Sequence, residues 1–139
     1  MRIVAGKFKG KQLISPSDDS IRPTADRVRE SMFNILASRL GPVFDGLRVL
    51  DLFAGTGALG FEALSRGAAF VSFMESQASA LSALERNIRN LGEEESTERL
   101  RADVLHPPAA RRATGIVLMD PPYNQGFAEP ALTALHDAG

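Results

Sequence analysis

The sequence predicts an α/β domain built on an open, mainly parallel sheet, and three observations predict it. Runs rich in apolar residues and of strand length, at Arg48–Phe53, Phe70–Met74 and Gly115–Met119, alternate with segments of helical period. The first run passes directly into a small-residue turn in which Gly55, Gly57 and Gly60 have the spacing GxGxxG, the first half of a nucleotide-binding βαβ unit. The second run closes on Glu75, twenty residues after Gly55. An acid at that place commonly accepts hydrogen bonds from ribose hydroxyls.

Composition sets the outer bounds. A chain of 139 residues is one domain by size, and 44% hydrophobic with 24% charged residues are globular values. No run approaches the length of a membrane span, and the start MRIVAGKFKGKQL lacks the apolar stretch of a signal peptide. There is no cysteine, so disulfides, thiolate metal sites and a cysteine nucleophile are excluded. A cytoplasmic location without membrane contact is expected. The net charge of −1 hides an asymmetry: residues 1–39 hold eight basic and four acidic side chains, so the remainder balances at −5. A basic N-terminal surface on an acidic domain is expected.

Taken in order, residues 1–20 read as a basic extended segment and linker, and residues 21–139 as the domain. Arg2–Leu13 alternates, with Lys7, Lys9 and Lys11 on one face and Phe8 on the other, and Gly6 and Gly10 marking a bend or hairpin. Lysines so arranged neutralise phosphates, and they also guard an edge strand against pairing. Ile21–Leu40 is a helix: Pro23 ends the linker, Thr24 can cap, and Asp26 suits the positive first turn. Val28, Met32, Ile35, Leu36 and Leu40 are its expected buried stripe, with Arg22, Arg27 and Arg29 near its start. After the glycine turn come a helix at Ala58–Ser65, the second strand, and an amphipathic helix at Ala78–Leu91 with Leu81, Leu84, Ile88 and Leu91 inward. Glu93–Glu98 reads as an acidic loop and Leu100–Ala102 as a short third strand ending at Asp103. Gly115–Met119 is a fourth strand, apolar throughout as a parallel strand should be. His106 and His136 stand alone and read as surface residues.

Two acids carry the chemistry. Asp51 lies at the glycine turn, where a carboxylate suits a cationic ligand and repels a pyrophosphate resting on the helix N-terminus. That favours S-adenosylmethionine, a sulfonium with an α-ammonium and no phosphate, over NAD. Asp120-Pro121-Pro122-Tyr123 follows the fourth strand. Two prolines hold an extended backbone, so the Asp120 carboxylate and the Pro121 carbonyl become fixed acceptors at the sheet edge where α/β folds bind ligands. Two acceptors on the hydrogens of an exocyclic amine orient its nitrogen toward a methyl carbon, and the Tyr123 ring offers a stacking face for a base.

DLFAGTGALG followed by DPPY resembles class I S-adenosylmethionine-dependent methyltransferases of the amino-group type. Together with RPTADRVRESMFNIL (Arg22–Leu36), LSRGA (Leu64–Ala68) and the opening MRIVAGKFKGKQL, it resembles the RsmD family, which methylates the N2 amine of a guanine in bacterial small-subunit (16S) ribosomal RNA. The resemblance implies a Rossmann-like class I sheet with helices on both faces, preceded by a basic strand or hairpin and a helix, with the family's C-terminal strands lying past Gly139. It implies that Asp51, Gly55 and Gly57 line the methionine end of the cofactor, with Phe53 also in the cofactor site, that Glu75 takes the ribose hydroxyls and Asp103 the adenine amine. Arg22 and Thr24 fall beside the methionine carboxylate, and Asp120, Pro121 and Tyr123 match the catalytic motif, Asp120 also facing the cofactor.

The expectation is therefore an rRNA guanine-N2 methyltransferase that uses S-adenosylmethionine and no metal, with Lys7, Lys9, Lys11, Arg27 and Arg29 on RNA phosphates. Its expected substrate is small-subunit rRNA, naked or in a protein-bound particle. The same catalytic motif serves adenine N6 and protein glutamine amines, and a silent RNA- or cofactor-binding module or a nicotinamide oxidoreductase are the remaining alternatives. With a fifth strand absent, the fourth strand is expected to be an edge open to self-association.

Overall fold

A computed structural model of the chain describes residues 2–14, 23–40, 44–105, 107, 114–119, 130, 133–134 and 136. Its elements in chain order are α1 (Pro23–Leu40), β1 (Arg48–Leu52), α2 (Ala58–Ser65), β2 (Phe70–Glu75), α3 (Ala78–Leu91), a 3-10 turn at Glu94–Ser96, β3 (Thr97–Arg101) and β4 (Ile116–Met119). The strands form one sheet in the order β3-β2-β1-β4. Every pairing is parallel: Val49 lies opposite Val71, Leu52 opposite Met119, and Glu75 opposite Arg101.

That order decides where the helices go. Crossovers between parallel strands are right-handed, so two steps in the same direction, β1 to β2 and β2 to β3, put α2 and α3 on one face. The main core bears this out. Phe33 of α1, Phe61 and Leu64 of α2, and Leu84 and Ile88 of α3 pack with Val49, Val71, Phe73 and Leu118 from alternate strand positions. The Phe61 and Phe73 rings meet with centroids 4.9 Å apart. The opposite face carries a smaller cluster of Leu52, Met74 and Val104, flanked by Leu50, Phe53, Leu100 and Met119. Among the described residues no helix contributes to it.

The two outer strands of the described sheet differ in character. β3 begins at Thr97, earlier than the sequence pattern indicates, because Glu98, Arg99 and Arg101 interrupt its apolar alternation. Charge on an outer strand blunts it against further pairing. β4 carries no charge and leaves Val117 42% exposed.

α1 is rotated relative to the expected stripe. Val28 is 64% exposed and Met32 and Ile35 are exposed as well, whereas Arg29 and Phe33 are buried and Leu36 is partly so. Residues 29, 33 and 36 follow the same helical spacing one position later. The reason is electrostatic and aromatic together. Glu62 of α2 is fully buried and lies 3.0 Å from Arg66 Nε and 3.7 Å from Arg29 Nε. The Arg66 guanidinium stacks over the Phe33 ring at 5.0 Å, and Phe33 meets Phe44 at 5.2 Å. A buried carboxylate requires a cation, and that requirement outweighs the apolar stripe.

The N-terminal segment is a tight hairpin, not an extended strand. Arg2 bridges Gln12 antiparallel, and Gly10 N–H donates to the Ile3 carbonyl at 2.8 Å. Lys7 and Lys9 fall in the turn, so the three lysines do not share a strand face. Ile3 and Leu13 belong to the main core. Glu62 accepts the Val4 and Ala5 N–H groups at 2.9 and 3.1 Å, and Ser65 Oγ accepts the Phe8 N–H at 2.9 Å. Glu62 is thus the hub of hairpin, α1 and α2. Replacing it (Glu62→Ala) leaves Arg66 and two hairpin amides without this acceptor and removes the carboxylate beside Arg29, and urea denaturation should show a loss of about 3–5 kcal/mol; a loss under 1 kcal/mol would contradict the hub.

Candidate cofactor and catalytic site

The sheet reverses direction once, between β1 and β4, since β2 and β3 lie to one side of β1 and β4 to the other. Open α/β sheets bind ligands at the carboxyl ends of the strands beside such a reversal. The glycine loop leaves β1 at that point. In the next strand of the sheet, Met119 lies in register with Leu52, the last residue of β1, so β4 ends level with the start of the loop. Asp120, Pro121 and Tyr123 themselves lie outside the described residues, as do Arg22 and the side chain of Thr24.

The loop is held by backbone pairing from the β2 side. Ala54 N–H donates to the Met74 carbonyl at 3.0 Å, and Gly55 N–H donates to Glu75 Oε1 at 2.9 Å. Phe53, with φ 53°, is the one non-glycine residue at positive φ among those described, a strained conformation at the strand-to-loop junction. Gly55 follows at φ 58°, and a Cβ built on it would meet nothing within 4 Å. Its freedom serves a turn that faces open space, the cradle a close-approaching ligand requires. Gly60 has the opposite surroundings. A Cβ there would stand 2.3 Å from the Phe73 ring, so this third glycine sets the helix–sheet spacing.

Both expected acids are structurally engaged. Asp51 does not stand open at the mouth of the turn: it lies within β1, 1% exposed, with Oδ2 accepting the Gly60 N–H at 2.9 Å. α2 begins at Gly57 without a side-chain cap of its own, and the carboxylate from β1 fills that role in the positive first turn. Glu75 closes β2 as expected. Its Oε2 accepts the Ser76 and Gln77 N–H groups, each at 2.9 Å, while Oε1 holds Gly55. Three of about four acceptor positions on the carboxylate are used, which leaves room on Oε1 for a further donor. Asp103 follows β3 and accepts the Leu105 N–H at 2.9 Å. Asp51, Phe53, Gly55, Gly57, Glu75 and Asp103 therefore all lie at or near the strand ends on the carboxyl side of the sheet.

The basic residues divide. Lys9, Lys11 and Arg27 are exposed, and Lys7 pairs with Glu93 at 3.1 Å. Arg29 is 6% exposed and donates to the Arg2 carbonyl at 2.6 Å beside Glu62, so the surface role expected of it is corrected to a structural one. Two residues escape the sequence reading: Glu62 and Asn87, both buried polar groups on helices. Their signal was available, since each interrupts the buried face of its helix, and a polar side chain there requires bonded partners. Among the described residues no group of three or more His, Asp or Glu is placed to hold a metal, and no helix is long and apolar enough to cross a membrane.

The glycine loop after β1, the acid ending β2 and the single reversal at β1 define a Rossmann-like fold of the class I methyltransferase type. A solved Escherichia coli structure described as "Putative methyltransferase yhhF" superposes with a TM-score of 0.81 at 36% identity, covering 100% of this chain and 74% of that one. The family model "Conserved hypothetical protein 95" matches residues 1–139, and the chain belongs to this family, the RsmD family that its motifs resemble. An Escherichia coli relative named ribosomal RNA small subunit methyltransferase D is 38% identical over 145 residues, covering 100% of this chain and 68% of the relative. A Haemophilus influenzae protein of the same name is 36% identical over 139 residues, with 97% and 70% covered.

The close fit at Gly60 gives a direct check. Gly60→Ala should lower stability by about 1–3 kcal/mol in chemical denaturation, because the added methyl is forced into the Phe73 ring. An unchanged midpoint would mean that the helix–sheet spacing has slack.

Proposed function

We propose that this chain methylates the exocyclic N2 of a guanine in small-subunit ribosomal RNA, using S-adenosylmethionine. The observation that supports the reading is the register of Met119 with Leu52, which ends β4 level with the start of the glycine loop, one residue before the Asp-Pro-Pro-Tyr sequence. Family membership supports the same activity. The residues present fit the cofactor: Gly55 faces open space, and the Glu75 carboxylate keeps an acceptor position beyond the three backbone N–H groups it holds.

Bound there, S-adenosylmethionine supplies an electrophilic methyl on a sulfonium. Glu75 and Asp103 would take the ribose and adenine donors, and Asp51 would fix the first turn of α2 while lending negative charge to the methionine end. The Asp120 carboxylate and the Pro121 carbonyl would accept the two hydrogens of the guanine amine, turning its lone pair out of conjugation with the ring. The Tyr123 ring would stack the base once it has left its helix. The amine proton would pass to water or to Asp120. Lys9, Lys11 and Arg27 are the exposed cations that would meet RNA phosphates, with Lys7 exchanging Glu93 for a phosphate. The substrate would be rRNA, naked or within a protein-bound particle, and the reaction cytoplasmic.

The test is transfer of labelled methyl to unmodified small-subunit rRNA and to assembled particles, with the product base identified. N2-methylguanine is expected; N6-methyladenine, methylated protein, or binding without transfer each overturns the assignment. Asp120→Ala should abolish transfer while S-adenosylhomocysteine affinity stays within a few fold, because its contacts would be chiefly to the target amine. RNA affinity should fall steeply with salt, and Lys9→Ala should flatten the log–log slope by roughly 0.7–0.9. An unchanged slope would remove Lys9 from the phosphate contacts.

A further inference from the structure

Asn87 sits on the inward face of α3, 1% exposed, and each of its polar atoms is engaged. Its Oδ1 accepts the Ile14 N–H at 2.7 Å, and its Nδ2 donates to the Ile14 carbonyl at 3.0 Å. The side-chain amide thus pairs with Ile14 as a neighbouring strand would. The same Nδ2 also donates to the Thr56 carbonyl at 3.1 Å. Thr56 lies between Gly55 and Gly57, in the middle of the glycine loop.

The two segments joined in this way are otherwise held by different parts of the molecule. The hairpin is fastened to α2 by Glu62 and Ser65: the Ser65 carbonyl accepts the Lys7 N–H at 2.9 Å, and its hydroxyl accepts the Phe8 N–H and donates to the Ala5 carbonyl. The loop is fastened to β2 through Ala54 and Gly55. Asn87 reaches both. The geometry demands one acceptor and two donors in a single plane, which asparagine supplies. Aspartate would set a carboxylate oxygen against the Ile14 and Thr56 carbonyls, and leucine would leave all three backbone groups without a partner.

We propose that Asn87 is a positioning residue that couples docking of the N-terminal hairpin to the conformation of the 54–57 loop, and through it to cofactor affinity. The last step rests on the reading that this loop holds S-adenosylmethionine. The hairpin need not touch the cofactor to influence it. Loosening the hairpin frees Ile14, Ile14 releases one edge of the Asn87 amide, and the hold on Thr56 weakens.

A double-mutant cycle tests this, using S-adenosylhomocysteine as the probe in calorimetry. Asn87→Leu should weaken binding about tenfold, the equivalent of about 1.4 kcal/mol. Ser65→Ala loosens the hairpin far from the loop and should weaken binding about threefold, yet add nothing in the Asn87→Leu background. Independent losses that multiply would overturn the coupling. A second arm needs no ligand: Ser65→Ala should speed hydrogen exchange at the Gly55 and Gly57 amides, and an unchanged rate there sinks the proposal. This arm stands on Ser65→Ala alone should Asn87→Leu fail to fold. Absence of S-adenosylhomocysteine binding by the unaltered protein would defeat the cofactor reading, and the exchange measurement would still decide the coupling.

Discussion

The position of β1 governs the rest of the molecule. It is the only described strand paired on one side to a strand that follows by a short crossover and on the other to the last strand of the order. Because crossovers have one hand, this placement sends α2 and α3 to the same face and opens a crevice at the carboxyl ends where the order turns back. The glycine loop leaves β1 at that crevice, and β4, the last of the described strands in sequence, ends level with it at Met119. The site is a product of topology first and of side chains second.

Carboxylates, two of them buried, then fasten the backbone around the sheet's carboxyl ends and the hairpin. Asp51, Glu62 and Glu75 each accept backbone N–H groups: the start of α2, the hairpin, and the loop with the start of α3. Hydrogen bonds to ionised acceptors are roughly twice as strong as neutral ones, and an interior environment strengthens them further. In the first case a helix whose N-terminus has no side-chain cap of its own receives one from a neighbouring strand, through Asp51 and the Gly60 N–H. The acids that bound the candidate site are therefore also the acids that make it rigid.

Much of this was legible in the sequence. α2 and α3 fall where the glycine turn and the 3.6 period place them, and Glu75 stands where the twenty-residue spacing puts it. The parallel sheet follows from alternation of strand and helix. What escaped depends on burial of polar groups, which periodicity does not register. The inward face of α1 was assigned to Val28, Met32 and Ile35 because they are apolar, yet Glu62 required an arginine opposite it and turned the helix by one position. β3 was placed late because its charged residues mask a strand that pairs through its backbone. The bend that Gly6 and Gly10 mark in the sequence is present, both at positive φ, but it puts Lys7 and Lys9 in the turn and so removes the shared lysine face.

Phe53 shows what an aromatic at a turn implies. A left-handed conformation costs a side-chain-bearing residue roughly 1–2 kcal/mol, a cost that glycine avoids. The ring must offset that disadvantage, and it does so by packing with the Leu52, Met74 and Val104 cluster on the helix-free face among the described residues. Backbone strain and apolar contact are thus placed back to back on one residue. The conformation of the loop at the floor of the crevice therefore depends on the second core, so the shape of that surface is tied to how well the opposite side of the sheet is covered.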